Sequence, residues 1–566
     1  MAPKQFLIFA AIALLFGAAP RGETVLWRVT PVVTNDAVSR LDLTLQFPGD
    51  ADGETTLQLP NDWGGERELY RALWDIRTDG AEIAPGETPD KLILRHAPGA
   101  PITLTWKLGG GPDSPPGKVR GNDYRPRFTP DHFFVIGSAA LPWPEHLENE
   151  TPARVQLDRP AGLTLVSDLE HTAPGGVTQL GKLAESVIMG GDLRVIETGG
   201  ARLALTGKFD TLDDAYWRAT FTKIAEGQRK FWKAKNESFL VTIISEAGES
   251  GSTSIGGTGL SDAFAVFATE NIDAGVAVNI LSHEMMHTWI PARVGRLPEE
   301  NEPIGYWFSE GFTDWASFRT LVRSGLWTSE DFAAAFNAAL EAYDLSPVRD
   351  ATGDEIAAGF WSSSDLDRLP YQKGMLIASW LDAGVREKTK GRRDLDDVLL
   401  AMQKAAKRDP DLMAHDNLVR SLKKVARWDA AADLDALAFQ GAPPNLPPEL
   451  LAPCGTLTSS ERTLWERGFD FNATSRANWV ITGVIEGSRA WEAGLRDGMT
   501  LTSWSEDSRD RDPSVPKTAG VLDGETKREI TWLPQSRETR TVRRLDLAAN
   551  LTAKQAKACE SVLKGQ

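Results

Sequence analysis

Residues 283–287 read His283-Glu284-Met285-Met286-His287, and no other run constrains this chain as tightly. Only seven histidines occur in 566 residues, and two of them fall here, four positions apart. In a helix, positions i and i+4 share one face, a turn apart. Two imidazoles so placed can reach one zinc ion at about 2.0–2.1 Å, with Glu284 beside it to take a proton from water. A catalytic zinc needs a third protein ligand and one open position. Downstream stands Trp307-Phe308-Ser309-Glu310-Gly311-Phe312-Thr313-Asp314-Trp315. Glu310 and Asp314 are again i and i+4. Glu310 is the expected third ligand, and Asp314 the acceptor that fixes the tautomer of a ligand imidazole. Ser309 is the expected N-cap of their helix.

Composition narrows the rest. At 566 residues, with 41% apolar and 25% charged residues, the chain has room for three or four globular domains. The net charge of -17, from 62 basic and 79 acidic residues, gives no basic patch, so no nucleic-acid partner is expected. Lys4, the apolar run Phe6 to Leu15 and the small residues Gly17, Ala18 and Ala19 follow the pattern of a secretory signal over 1–22. A periplasmic or extracellular protein is expected, with no membrane span in the mature chain. Two cysteines, Cys454 and Cys559, allow one disulfide in such a compartment; two buried thiols are the alternative.

Periodicity divides the chain. Leu41, Leu43, Leu45 and Phe47 alternate with polar residues, as do Ile102, Leu104 and Trp106. Residues 23–205 read as an antiparallel β domain, with a Gly- and Pro-rich loop over 109–121. From about Asp210 helical spacing takes over, with Trp217, Phe221, Ile224 and Phe231 near one face. Phe239 to Ile244 is a buried strand, and helices dominate from Val278 to Phe439. Residues 441–453 hold five prolines and read as a linker. The tail, 454–566, returns to short strands, with a strand expected over Asn478 to Ile485 and a short helix over Ser488 to Leu495.

The residues His283-Glu284-x-x-His287-Thr288-Trp289 and Trp307-Phe308-Ser309-Glu310-Gly311-Phe312 resemble the gluzincin metallopeptidases, and within them the glycyl aminopeptidase family. The 22 residues between His287 and Glu310 suit that family better than the alanyl aminopeptidases, whose gap is shorter. The resemblance implies a multidomain α+β fold. An N-terminal β domain would precede a thermolysin-like zinc peptidase domain over 206–440, with a helical second half, and a PDZ-like β domain would close the chain. It implies one Zn2+ ion and a peptide or protein substrate. Leu369-Pro370-Tyr371-Gln372-Lys373-Gly374 resembles the family's Tyr-x-Lys-Gly segment, whose tyrosine donates a hydrogen bond to the developing oxyanion. Arg467-Gly468-Phe469-Asp470-Phe471 resembles the carboxylate-binding loop of PDZ domains, which take a peptide C-terminus or an extended strand.

One stretch departs from the resemblance. Gluzincin aminopeptidases carry a glycine-rich strand ending in a glutamate that grips the substrate's free amine. Here Gly256, Gly257, Thr258 and Gly259 are expected along the substrate backbone, and Gly259 stands where the glutamate belongs. Asp262 and Glu270 are the nearest acidic substitutes. The expected function is a secreted zinc metallopeptidase, an aminopeptidase with an altered amine anchor. An endopeptidase on the same scaffold, or a non-catalytic peptide-binding protein acting through the tail, are the alternatives.

Overall fold

The computed structural model describes residues 25–110, 124–171, 177–234, 238–248, 253–260, 262–505 and 512–565. The expected signal segment and all but the first two residues of the 109–121 loop lie outside the described residues. The chain forms two compact units, Met1–Thr222 with Ala234–Ala277, and Lys223–Lys233 with Val278–Gln566.

In the first unit the alternating leucines do what their period demands. Leu41, Leu43, Leu45 and Phe47 all point inward from the strand Ala37–Pro48. That strand lies in a six-stranded sheet between Val25–Thr34 and Pro101–Leu108. The sheet is antiparallel except where Val25–Thr34 runs parallel to Pro152–Leu157. Two four-stranded sheets accompany it, and Trp27, Trp106 and Phe133 fill the core. A further five-stranded sheet follows, made of β1 (Arg194–Thr198), β2 (Ala201–Thr206), β3 (Phe239–Glu246), β4 (Ile255–Gly259) and β5 (Ala263–Thr269), in the order β1-β2-β3-β5-β4. β3 is parallel to both β2 and β5, which is why it reads as a continuous apolar run. The expected boundary at 205 falls inside β2. The run Ala201 to Thr206 is buried throughout and pairs with β3, so this sheet takes the last two strands of the N-terminal region.

Helices build most of the second unit: the end of α1 (Asp214–Trp232), then α2 (Ala274–Met286), α3 (Tyr306–Arg323), α4 (Ser329–Leu345), α5 (Leu369–Thr389), α6 (Leu395–Ala406), α7 (Ala414–Ala426) and α8 (Ala553–Lys564). α3 is the central one, since fifteen of its residues are buried. Thr328 and Asp331 form a capping box that starts α4. α3 and α5 cross with their backbones in contact at Gly311 and Gly374. Near the far end of α3, fully buried Arg319 bonds Asp382 at 2.7 Å and Asp394 at 2.8 Å.

The Pro-rich stretch 441–453, expected as a linker, is packed down. Leu446, Leu450 and Leu451 are buried, and Arg386 and Arg543 donate to the carbonyls of Leu450 and Pro444. The tail has two parts. β6 (Gly455–Trp465) and β7 (Gln535–Leu547) form a long antiparallel pair held to α4 by Arg543 on Asp344 and by Asn337 on the Leu545 backbone. Between them, 466–534 has its own core of Phe469, Ile481, Leu495, Val521 and Trp532 around a three-stranded sheet. The strand expected over Asn478 to Ile485 is absent. Asn478 and Trp479 take φ values of 53° and 66°, and only Val480 makes a bridge, to Thr500. Left-handed backbone at two successive residues breaks the pleat. The helix expected next is present as Arg489–Glu492, capped by Ser488. Cys454 and Cys559 are disulfide-bonded, tying the entry of β6 to α8. Among the described residues no helix is long and apolar enough to cross a membrane.

Candidate metal centre

The local sequence explains how the site is assembled. α2 carries Ser282, His283 and Glu284 and ends at Met286, so His283 stands on the helix and His287 on the turn that closes it. Pro291 disfavours helical geometry at Ile290, and the helix is spent by that point. The Ile290 carbonyl is left to accept a hydrogen bond from His287 Nδ1 at 2.9 Å. Neighbours lock the helix in place: Gln228 donates to the Ser282 carbonyl at 2.8 Å, and Ser282 Oγ donates to Ser317 on α3. Trp232 stacks on Trp289 with ring centroids 5.6 Å apart.

α3 brings the acids. A short 3-10 turn, Glu302–Gly305, feeds straight into it. The helix therefore begins at Tyr306, and Ser309 lies within it instead of capping it. The Ser309 hydroxyl donates to the Glu310 carboxylate. Asp314 Oδ1 lies 2.8 Å from His283 Nδ1. Each imidazole thus has one nitrogen tied to an acceptor, which directs the lone pair of its Nε2 inward.

Three atoms converge. His287 Nε2 is 3.1 Å from His283 Nε2, and Glu310 Oε2 is 3.3 Å and 3.4 Å from the two nitrogens. A tetrahedral zinc with ligands at about 2.0–2.1 Å has edges of about 3.3–3.4 Å, so these atoms fit one face of such a shell. Two imidazole nitrogens and a carboxylate oxygen are a donor set that zinc accepts. Glu284 also faces the group, with ligand atoms of His283, Glu284 and His287 all within 4.8 Å of one another. Glu310 is the tighter third apex, and Glu284 stands beside the group. On α5, the Tyr371 ring stacks on His283 with centroids 5.9 Å apart, and Tyr371 remains 36% exposed, open to a substrate.

Electrostatics agree with the geometry. Burial opposes charge on His283, yet Asp314 and Glu310 outweigh it and hold its pKa well above the ordinary value. Burial likewise opposes the His287 imidazolium, and Glu310 again prevails. The site draws positive charge to where a metal would bring it. Burial raises the Glu284 pKa, moving it toward the range of a useful base. Desolvation of its hydroxyl, with the nearby Glu310 and Glu284 carboxylates, holds the Tyr371 pKa well above the ordinary value, so the hydroxyl is protonated.

The glycine stretch lies on β4, the edge strand of the five-stranded sheet. Gly256 pairs with Phe267, Gly257 with Val266, Thr258 with Ala265 and Gly259 with Phe264. A Cβ on Gly257 would come within 2.4 Å of the Ala265 carbonyl, whereas one on Gly259 would meet nothing within 4 Å. The Asp262 carboxylate is held by Lys182 at 2.8 Å, and Glu270 is exposed at the end of the sheet. Sequence reasoning missed the Ile290 carbonyl. A backbone acceptor has no side-chain signature, and Pro291 was the only signal of a helix ending there.

Comparisons with known proteins bear on this site. The M61 glycyl aminopeptidase family model matches residues 276–363, which hold His283, Glu284, His287, Glu310 and Asp314. Among solved structures, an aminopeptidase N family protein from Idiomarina loihiensis is similar over 95% of this chain and all of its own, with 16% identity and a TM-score of 0.69. An M1 zinc metallopeptidase from Deinococcus radiodurans matches over 75% of this chain and 96% of its own, with 14% identity and a TM-score of 0.44. No curated protein sequence matches the chain.

Proposed function

With a zinc metallopeptidase of the M61 glycyl aminopeptidase type as the premise, we propose that this chain is a secreted aminopeptidase whose amine-anchoring site is altered. The observation that carries the zinc-peptidase part of the reading is the 3.1–3.4 Å triangle of His283 Nε2, His287 Nε2 and Glu310 Oε2. These three side chains would hold one Zn2+ ion. When bound, zinc supplies an acidified water and polarises the substrate carbonyl. Asp314 and the Ile290 carbonyl orient the two imidazoles. Glu284 takes the proton of the attacking water and passes it to the leaving amine. The Tyr371 hydroxyl donates to the carbonyl oxygen as negative charge builds there, a contact worth roughly 2.7–4 kcal/mol.

Gly256 to Gly259 would receive the substrate backbone along the free edge of β4. A Cβ on Gly259 would meet nothing within 4 Å and Asp262 is paired with Lys182, so neither position offers a free acid. That observation favours a second reading, an endopeptidase on the same scaffold. The tail, 454–566, is read as PDZ-like, taking a peptide C-terminus or an extended strand. Residues 1–22 are read as the signal that sends the protein to the periplasm or beyond.

A mixed peptide library, half of it with blocked N-termini, tests the reading by mass spectrometry, with Glu284→Gln as control. Terminal cuts in free peptides alone support the aminopeptidase, while internal cuts that ignore the block support the endopeptidase. Glu284→Gln should keep one zinc per chain and lose turnover by about 10²–10⁴-fold. Turnover at the wild-type rate would overturn the mechanism.

A further inference from the structure

The oxyanion donor and the metal ligands stand on different helices, and their separation is set where those helices cross. Gly311, next to Glu310 on α3, faces Gly374, three residues after Tyr371 on α5. A Cβ on Gly311 would lie 2.2 Å from the Gly374 carbonyl carbon and 2.3 Å from its Cα. A Cβ on Gly374 would lie 1.9 Å from the Trp307 carbonyl oxygen and 3.0 Å from Gly311 Cα. Real Cβ atoms do not approach backbone so closely, and backbone cannot swing aside as a side chain can. Any other residue pair would hold the helices apart. Positions i and i+3 of a helix are neighbours on its surface, so a shift at Gly374 is carried to Tyr371 one turn away. At the other end of that turn the Tyr371 ring stacks on His283 at 5.9 Å.

We propose that Gly311 and Gly374 are positioning residues for catalysis: their backbone contact sets the reach of the Tyr371 hydroxyl to the substrate oxygen at the metal ligands. The proposal rests on the reading of Tyr371 as the oxyanion donor. A bulkier pair would leave the ligands of α2 and α3 able to bind zinc while Tyr371 falls short. Misplacement by about 1 Å can cost 10²-fold in rate.

The test is a double-mutant cycle on the zinc-loaded full chain, using Gly374→Ala and Tyr371→Phe. Gly384 on the same helix supplies the control, since a Cβ there meets the Trp428 ring instead, at 2.5 Å. Gly374→Ala is expected to lower kcat by about 10–100-fold, with KM within about twofold and one zinc retained per chain. In the Tyr371→Phe background the same change should cost less than about twofold, because the group it displaces is gone. Gly384→Ala should leave kcat within about twofold. A full additional loss on top of Tyr371→Phe, or an equal loss from Gly384→Ala, overturns the proposal. If Tyr371→Phe itself retains wild-type kcat, the oxyanion reading fails first, and the cycle shows that separately. Should Gly374→Ala not fold, Gly311→Ala replaces it. If neither folds, the crossing serves folding, not positioning, and the proposal falls.

Discussion

Two buried charge clusters sit on opposite faces of α3, nine residues apart in step. Asp314 and Arg323, like Glu310 and Arg319, are separated by nine positions, or about half a turn around the helix. In the cluster around Arg319, three carboxylates, Asp382, Asp394 and Asp396, meet three guanidiniums, Arg319, Arg323 and Arg386. Three charges of each sign meet there, although burial still lifts the Asp396 pKa to about 7. In the cluster around Glu310, three carboxylates, Glu284, Glu310 and Asp314, meet only two imidazoles, which are neutral unless protonated. That cluster is short of positive charge, and its histidines are pushed up accordingly. The first group supplies its own cations, whereas the second has more carboxylates than cationic side chains.

The sharpest way to break this contrast is Arg319→Leu. It should take from Asp382, Asp394 and Asp396 the buried partner they share and cost about 3–5 kcal/mol of stability by chemical denaturation. Zinc stoichiometry should stay unchanged, and a loss under about 1 kcal/mol would show that the cluster does not supply its own cations as described.

Lys373 on α5 gives a third case, a buried ammonium group with no hydrogen-bond partner among the described residues. Burial, only partly offset by Asp350, pushes its pKa down to about 8. An unfolded lysine titrates near 10.4, so the unfolded chain holds the extra proton between about pH 8 and 10. The folded protein therefore gains stability as pH rises through that window, by up to about 3 kcal/mol from this group. Lys373→Met should raise Tm at pH 7, with the advantage fading by about pH 10. An advantage independent of pH would mean the ammonium is already compensated.

The smallest effect is expected of Asp314→Asn, which keeps the shape but weakens the hold on His283 Nδ1. Zinc affinity or activity should fall about 10–100-fold, with denaturation midpoints nearly unchanged in the metal-free protein. Zinc competition with a chromogenic chelator measures it, and an unchanged affinity would remove Asp314 from the site.

Much of this was legible along the chain. His283 and His287 are four positions apart, as are Glu310 and Asp314, so local periodicity alone placed each pair on one face. The buried strand Phe239–Glu246 and the alternating strand Ala37–Pro48 were legible for the same reason. Boundaries were not. β2 belongs with β3 because of a pairing between residues 201–206 and 239–244, which no local pattern records. The 441–453 stretch has the composition of a linker, but Leu446, Leu450 and Leu451 find a surface to cover. The break at Asn478 and Trp479 was equally hidden, since neither residue forbids a strand outright.

The sequence by itself determined which atoms are available for chemistry and on which helical face each pair stands, because a helix repeats every 3.6 residues regardless of its surroundings. Only the tertiary structure decided that the end of α2 meets α3 with three donor atoms 3.1–3.4 Å apart. It alone set Tyr371 over His283, brought Gly311 and Gly374 into contact and matched Arg319 to its aspartates. Those outcomes depend on which surfaces remain apolar or unpaired once every element has formed, and that is a property of the packed whole.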